Sequence, residues 1–380
     1  MRLAIVNTTL VMPDHLIPRA TLIIEDGKIL DFGTKLSAEG CEVFNANGAY
    51  TGPGLIDIHT HAGGEDLFTK NPYTAAKLLL SHGVTTVLPA LYFSSNREEL
   101  IAEAKFIKEA ADSGECDNIY GLYMEAPYMN PEFGANKEAC PWKGDIKEED
   151  YLPLLEALNG FAKVYVLAPE RENILEFVKC AKSLDPKIRF SVGHSKAEPK
   201  DIENCIPYGL CLATHHMNAT GRLEKYPECR TACVDETALY NDSIYTELIC
   251  DKVGIHVAPY MLRLVKKVKG DDKIILISDA YVDYGPIPEG ELYEGADDIN
   301  FDFSGEISGS KMILDGSCRN MMVHTGASLC QVFKYASRNP ARALGLSDRG
   351  EICVGNRADL VLVDAEFNLK NVILNGKIVK

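Results

Sequence analysis

No C-x-x-C pair occurs in this 380-residue chain, and its twelve cysteines are scattered from Cys41 to Cys353, so no disulfide framework or paired-cysteine motif is indicated. Cys229 and Cys233 stand nearest each other and could form half of a zinc site, but no second half with metal spacing follows. A chain of this length folds without covalent staples, and the thiols are read as reduced, small buried hydrophobes. Long apolar runs are missing too. None reaches the roughly 18 residues that a bilayer crossing requires, and Pro13 and Asp14 interrupt the N-terminus before a signal-peptide core could form. The expectation is a soluble, cytoplasmic protein with no membrane partner. Positive charge is in short supply: Lys and Arg number 39 against 55 Asp and Glu, for a net charge of −16. No basic stripe is visible that could track a nucleic-acid backbone. A small anionic substrate stays open, because screening confines charge effects to about 8 Å at physiological salt and one local Arg or His outweighs the distant total.

The rest of the composition is that of a globular protein, 46% hydrophobic and 25% charged, which excludes a disordered or fibrous chain. The first fifty residues hold short β-type runs at Leu3–Asn7, Ala20–Glu25, Lys28–Phe32 and Glu42–Asn45, punctuated by Asp26-Gly27 and Asn47-Gly48. Asp-Gly between apolar runs is a strong hairpin signal. The last thirty residues repeat the style at Gly350–Val354, Asp359–Asp364, Val372–Leu374 and Lys377–Val379, with Asn375-Gly376 as another tight turn. Neither end could bury a core alone, so residues 1–52 and 346–380 are expected to combine as one small β-sandwich domain.

Between them, apolar runs alternate with helical stretches. Eight strands are expected at Leu55–His61, Thr85–Leu91, Ile119–Ala126, Lys163–Pro169, Phe190–Ser195, Leu210–Met217, Gly254–Ala258 and Lys273–Ala280. Several are nearly continuous hydrophobic runs, as parallel strands buried on both faces require. Helical spacing marks segments such as Arg97–Ala111 and Asn173–Ser183. Eight such units over residues 53–345 predict an α/β fold, a (β/α)8 TIM-type barrel. A doubly wound open sheet is the rival, but it leaves the placement of the polar residues unexplained.

Five of the nine histidines fall at the expected strand ends. His59 and His61, two apart, share one face of their strand and can reach one ion. Glu125 ends the third strand, His194 the fifth and His215 the sixth; His256 lies in the seventh and Asp279 ends the eighth. A lone buried histidine is more often a satisfied core residue than a ligand, and His-Thr-His alone can arise by chance. Five such placements at the mouth where barrel active sites form are not independent accidents, and together they indicate a metal-dependent hydrolase. His15, His82 and His324 read as structural or surface residues, and His216 as packing.

These residues resemble the amidohydrolase superfamily and, within it, the N-acetylglucosamine-6-phosphate deacetylases. The resemblance runs in order along the chain: Pro-Gly-Leu-Ile-Asp-Ile-His-Thr-His (53–61), Met-Glu-Ala-Pro-Tyr-Met-Asn-Pro (124–131), Leu-Ala-Pro-Glu (167–170), Gly-His-Ser (193–195), Ala-Thr-His-His-Met-Asn-Ala (213–219), Gly-Ile-His-Val (254–257), Ser-Asp-Ala (278–280) and Asn-Pro-Ala-Arg-Ala-Leu-Gly-Leu (339–346). It implies that Glu125, His194 and His215 hold a main metal ion and His59 and His61 a second, so that one or two divalent ions, zinc or iron, serve as cofactor. By the same resemblance Asp279 is the catalytic carboxylate, while Asn218, Ala219, His256 and the segment Ile307, Ser308 and Gly309 hold the sugar phosphate. The implied reaction removes the acetyl group from an N-acetyl hexosamine 6-phosphate, N-acetylglucosamine 6-phosphate first.

The chain departs from the family pattern at four places. Glu-Ala-Pro replaces Glu-Gly-Pro at 125–127, and Asn136 stands where a histidine usually polarises the acetyl carbonyl. The segment carrying the phosphate-binding arginine is disrupted, with Arg230 placed there by counting and Arg222 fitting less well. The stretch from Asp251 to His256 is two residues longer. Amide hydrolysis is therefore better founded than the substrate. Alternatives are deacetylation of N-acetylgalactosamine 6-phosphate or of an unphosphorylated N-acyl amine, and, from a different class, an inactive barrel that only binds. The family also implies a homodimer in which Arg230 reaches into the neighbouring subunit.

Overall fold

The computed structural model describes residues 2–135, 137–221 and 224–380; Asn136 and Arg222 lie outside the described residues. Eight parallel strands form one sheet in sequential order: Leu55–Thr60 (β1), Val84–Tyr92 (β2), Leu122–Glu125 (β3), Ala162–Leu167 (β4), Arg189–Val192 (β5), Leu210–Ala213 (β6), Tyr245–Ile249 (β7) and Ile274–Ile277 (β8). Every residue of β1, β3 and β8 is buried; β8 reads as an unbroken apolar run, while β1 and β3 bury Asp57, His59, Thr60 and Glu125 among apolar neighbours. Hydrogen bonds just beyond β8 close the sheet onto β1: Asp279 N donates to the His59 carbonyl at 2.9 Å and His61 N to the Ala280 carbonyl at 2.8 Å. Deeper in the seam the Ser278 hydroxyl donates to Asp57 at 2.6 Å. The carboxyl of Asp57 is pushed up to about 6 by burial, against the pull of these donors. The eight-stranded array is thus a barrel rather than an open sheet, as expected.

Helices between the strands follow their local chemistry. Arg97–Asp112 starts at Asn96, whose side chain accepts from Glu99 N while Glu99 reaches back to Asn96 N, a reciprocal cap. Its Leu100, Ala104, Ile107 and Ala110 recur at three- and four-residue spacing and are buried. Pro259 opens the helix Pro259–Lys269, and Gly270 ends it.

Two expected strands are corrected. The seventh barrel strand is Tyr245–Ile249, not Gly254–Ala258. The Asp251 carboxylate accepts from the backbone amides of Val253, Ile255 and His256 at 3.2, 2.9 and 2.8 Å and also from Gly254 N, so this stretch wraps around one side chain instead of pairing. Its apolar residues mimic a strand, but Gly254 at φ +77° breaks the extended path. Gly350–Val354 likewise forms no strand; its neighbour Arg357 makes an isolated bridge to Lys28.

The second sheet joins both ends of the chain. Its order is Lys377–Ile378, Leu369–Leu374, Leu360–Val363, Tyr50–Pro53, Arg2–Val11, Leu16–Glu25, Lys28–Gly33, with Glu42–Asn45 also paired to Arg2–Val11. The antiparallel pairing of Leu360–Val363 with Tyr50–Pro53 is the splice between the termini. At Asp26-Gly27, Asn47-Gly48 and Asn375-Gly376 both residues have positive φ, the geometry that selected those dipeptides. Ile5, Leu10, Leu22, Leu360 and Ile373 pack in a core of their own beside the barrel.

Candidate active site

Barrel closure delivers the polar residues to one mouth. Residues of like parity on β1 share a face, so His59 and His61 both point inward, and the hydrogen bonds to residues 279 and 280 set Asp279 beside them. Ligand atoms of His59, His61 and Asp279 lie within 4.8 Å of one another, and so do those of Glu125, His194 and His215. Glu125 stands between the two groups. Its Oε1 is 2.7 Å from His194 Nε2 and 3.1 Å from His215 Nε2, while its Oε2 is 3.0 Å from His61 Nε2. His59 Nε2 is 3.5 Å from Glu125 and 3.4 Å from Asp279. Among the described residues these are the two groups of three or more candidate ligands, and neither includes a cysteine, so the half-site at Cys229 and Cys233 has no counterpart.

The donor set fits divalent ions. The Nε2 atoms of His194 and His215 face each other at 2.9 Å, both turned toward the same carboxylate oxygen. At that distance two lone pairs would repel, so either a proton or a positive ion must sit between them. His215 Nδ1–H donates to the Asn218 carbonyl at 3.2 Å, which leaves Nε2 as the lone-pair atom aimed at the site. Burial lowers the basicity of His194, and burial works against ionisation of Glu125, but the facing imidazoles of His59, His194 and His215 hold its carboxyl well below the usual range. In His59 burial opposes protonation, yet Asp279 and Glu125 override it and raise the imidazole well above its ordinary value; His215 is raised in the same way by Glu125. Metal ions and protons compete for such lone pairs, and a divalent ion satisfies this field with more charge.

Backbone strain concentrates here. His194, His215 and Asp279 take φ of +46°, +29° and +46°, a region costly for residues with a Cβ and found where a site over-determines the chain. Gly134 closes the site from the side: a Cβ on it would meet Tyr92 Oη at 2.7 Å and His194 Nδ1 at 2.8 Å. Tyr92 Oη donates to the Ala135 carbonyl at 2.9 Å and ties this segment over the ligands. Burial, with Glu125 and Asp279 nearby, raises the Tyr92 phenol well above its ordinary value, so it remains a neutral donor.

A cavity of about 280 Å³ opens onto the ligands and is lined also by Asn218, Ala219, His256, Ile307, Ser308 and Gly309. Six sequence-derived binding residues therefore share one pocket with the candidate ligands. Asn218 Nδ2 and His256 Nε2 are buried there with no hydrogen-bond partner among the described residues, leaving a donor and a ring nitrogen for a ligand. His256 does not lie on a strand; Asp251 Oδ2, 3.2 Å from its Nδ1, orients the ring from the loop. Arg230 is not in this pocket. It sits on the hairpin of Glu224–Tyr226 and Cys229–Arg230, its side chain 67% exposed and 3.4 Å from Glu236, lining a neighbouring cavity of about 560 Å³ that shares Ala219 and His256 with the first. His216 is buried, facing Asp235 at 3.4 Å, and burial drops its basicity to about 3, in keeping with packing. His15 pairs with Asp14, His82 with Asp315, and His324 with the Asp251 carbonyl.

The sequence reading missed Tyr92, Tyr281 and Glu247. The two tyrosine rings meet His61 edge-on, at 5.8 and 5.5 Å between centroids. Glu247, an acid inside an apolar strand, was the one available signal.

A model of the amidohydrolase family matches residues 51–379. The chain belongs to the amidohydrolase family. Among its relatives, this amidohydrolase is 28% identical to the N-acetylglucosamine-6-phosphate deacetylase of Bacillus subtilis, over 99% of this chain and 96% of that protein. It is 26% identical to the N-acetylgalactosamine-6-phosphate deacetylase of Escherichia coli O157:H7, over 86% of each. Among solved structures, the N-acetylglucosamine-6-phosphate deacetylase of Pasteurella multocida superposes with a TM-score of 0.85 at 23% identity, over 100% of this chain and 99% of that one, a likeness of fold. That of Thermotoga maritima gives 0.81 at 25% identity, over 99% of both.

Proposed function

We propose that this amidohydrolase deacetylates an N-acetyl hexosamine 6-phosphate, N-acetylglucosamine 6-phosphate first, to acetate and the amino sugar phosphate. The observation that carries the reading is the pair of ligand groups meeting at Glu125, with Asp279 on the rim of the same cavity. Glu125, His194 and His215 would hold one divalent ion and His59 and His61 a second, with zinc or iron suited to such imidazole and carboxylate donors. Bound there, such an ion supplies Lewis acidity, which brings the pKa of water from 15.7 down to roughly 7 and polarises a carbonyl.

The chain's own residues do the rest. Asp279 accepts the proton of the attacking water and returns it to the departing amine nitrogen, since amine is a poor leaving group unless protonated. Asn218 and the backbone of 307–309 hold the sugar, and Gly309 lets that segment pass Asp279: a Cβ there would meet the Asp279 carbonyl at 2.5 Å. His256, shared by both cavities, faces the phosphate. Arg230, exposed on its hairpin, is the candidate second phosphate anchor, and a homodimer with Arg230 serving the neighbouring subunit stays part of this proposal.

The E. coli relative, acting on the galacto epimer, makes N-acetylgalactosamine 6-phosphate the second reading. Acetate release from both N-acetyl hexosamine 6-phosphates and from the two unphosphorylated sugars tests the assignment. The proposal expects a phosphorylated sugar to be hydrolysed at least 10-fold more efficiently than its unphosphorylated form. Equal or better turnover without phosphate would transfer the assignment to an unphosphorylated N-acyl amine.

A further inference from the structure

Glu247 lies in the middle of β7 with none of its surface exposed, beneath the ligands instead of among them. A buried carboxylate is costly unless compensated. The Tyr123 hydroxyl is 3.0 Å from both of its oxygens, and on its other side His59 Nδ1 lies 3.5 Å from Glu247 Oε2, an ion-pair distance rather than a formed hydrogen bond. Tyr123 is in turn fixed by the Thr214 hydroxyl at 2.9 Å, which meets that of Ser191 at 2.6 Å, so side chains from β5, the turn after β6 and β7 hold the phenol in place. Its ring also stacks on His59, centroids 4.3 Å apart and planes 21° from parallel.

The two nitrogens of His59 thus face different surroundings: Nε2 looks to Glu125 and Asp279 in the mouth, Nδ1 looks down to Glu247. An imidazole that gives its Nε2 lone pair to an ion keeps its one N–H at Nδ1, and a carboxylate on that side stabilises it there. A purely space-filling role would be met by an apolar residue, as Leu248 and Ile249 next to it are. From this geometry we infer that Glu247, held by Tyr123, is a positioning residue that orients His59 and tunes it as a metal ligand. The inference rests on the metal-hydrolase reading above.

The test is zinc binding by chelator-stripped protein, titrated against a chromophoric chelator, with thermal melts to establish folding. Glu247→Gln can turn its amide N–H toward Nδ1 and favour the wrong tautomer. It should weaken the ion at His59 and His61 by about 10–100-fold, the usual cost of losing such a partner, and change the ion at Glu125, His194 and His215 by less than about threefold. Glu247→Asp should recover part of the loss. Tyr123→Phe, which keeps the stacked ring, should weaken the same ion by a smaller factor, and it decides the matter if Glu247→Gln does not fold. Wild-type zinc affinity in a folded Glu247→Gln protein, or equal weakening of both ions, would overturn the inference while leaving the hydrolase reading intact. A wild-type protein that binds no zinc and no iron would overturn both.

Discussion

Asp279 carries the chemistry in this account, and its position comes from two backbone hydrogen bonds, its N–H to the His59 carbonyl and its carbonyl from Ser310 N, and from a left-handed backbone at φ +46°. Asp279→Asn keeps the shape of the side chain and leaves the Glu125 group untouched, but the amide cannot take up a proton. The expected outcome is retention of at least one metal equivalent by elemental analysis with kcat reduced by about 10²–10⁴-fold or more; turnover within a factor of a few of wild type would assign the base elsewhere. At this scale the sequence was most informative. Histidines and acids at strand ends are rare enough in a core to stand out, so the gathering of His59, His61, Glu125, His194, His215 and Asp279 in one mouth could be read in advance. Tyr92 and Tyr281 could not, because an aromatic after an apolar run looks like core, and only their rings against His61 reveal otherwise.

At the scale of elements, the loop from Asp251 to His256 shows why reading failed in one place. Ile255 and Val257 carry strand-like chemistry, but one carboxylate outbid the ladder by accepting four successive amides and the His256 ring. Pattern along the chain does not register a side chain that bonds to backbone up to five residues ahead. The same bonds hold the Asp251 carboxyl at about 2, below its ordinary 3.8; burial alone would raise it, but His256 and the amides prevail. The folded state therefore binds fewer protons than the unfolded one between these values, and the stabilisation is full above about pH 4 and lost as pH falls toward 2. Asp251→Asn is expected to cost about 2 kcal/mol near neutral pH in denaturant melts, with the gap from wild type closing between pH 4 and 2. A pH-independent gap would mean that the charge of Asp251 contributes nothing. Arg230 is the opposite case: its hairpin was unreadable because only the departure from the family pattern, not its chemistry, marked the segment.

For the whole molecule, alternation of apolar runs and helical spacing was enough to expect a barrel, and Asp-Gly and Asn-Gly turns enough to expect a small sheet from both ends. The sequence could not specify the closure through Asp57, Ser278, His59 and Asp279, because pairs more than 200 residues apart leave no periodic trace. That closure is what brings two ligand groups to one carboxylate, and the function follows from it. The most direct measurement is acetate release from N-acetylglucosamine 6-phosphate and its galacto epimer by metal-replete protein, by protein stripped with a chelator, and by stripped protein given back zinc or iron(II). The account predicts hydrolysis that disappears on stripping and returns with metal. Deacetylation unchanged after complete removal of metal, or no hydrolysis of either sugar phosphate by the metal-replete protein, would contradict it.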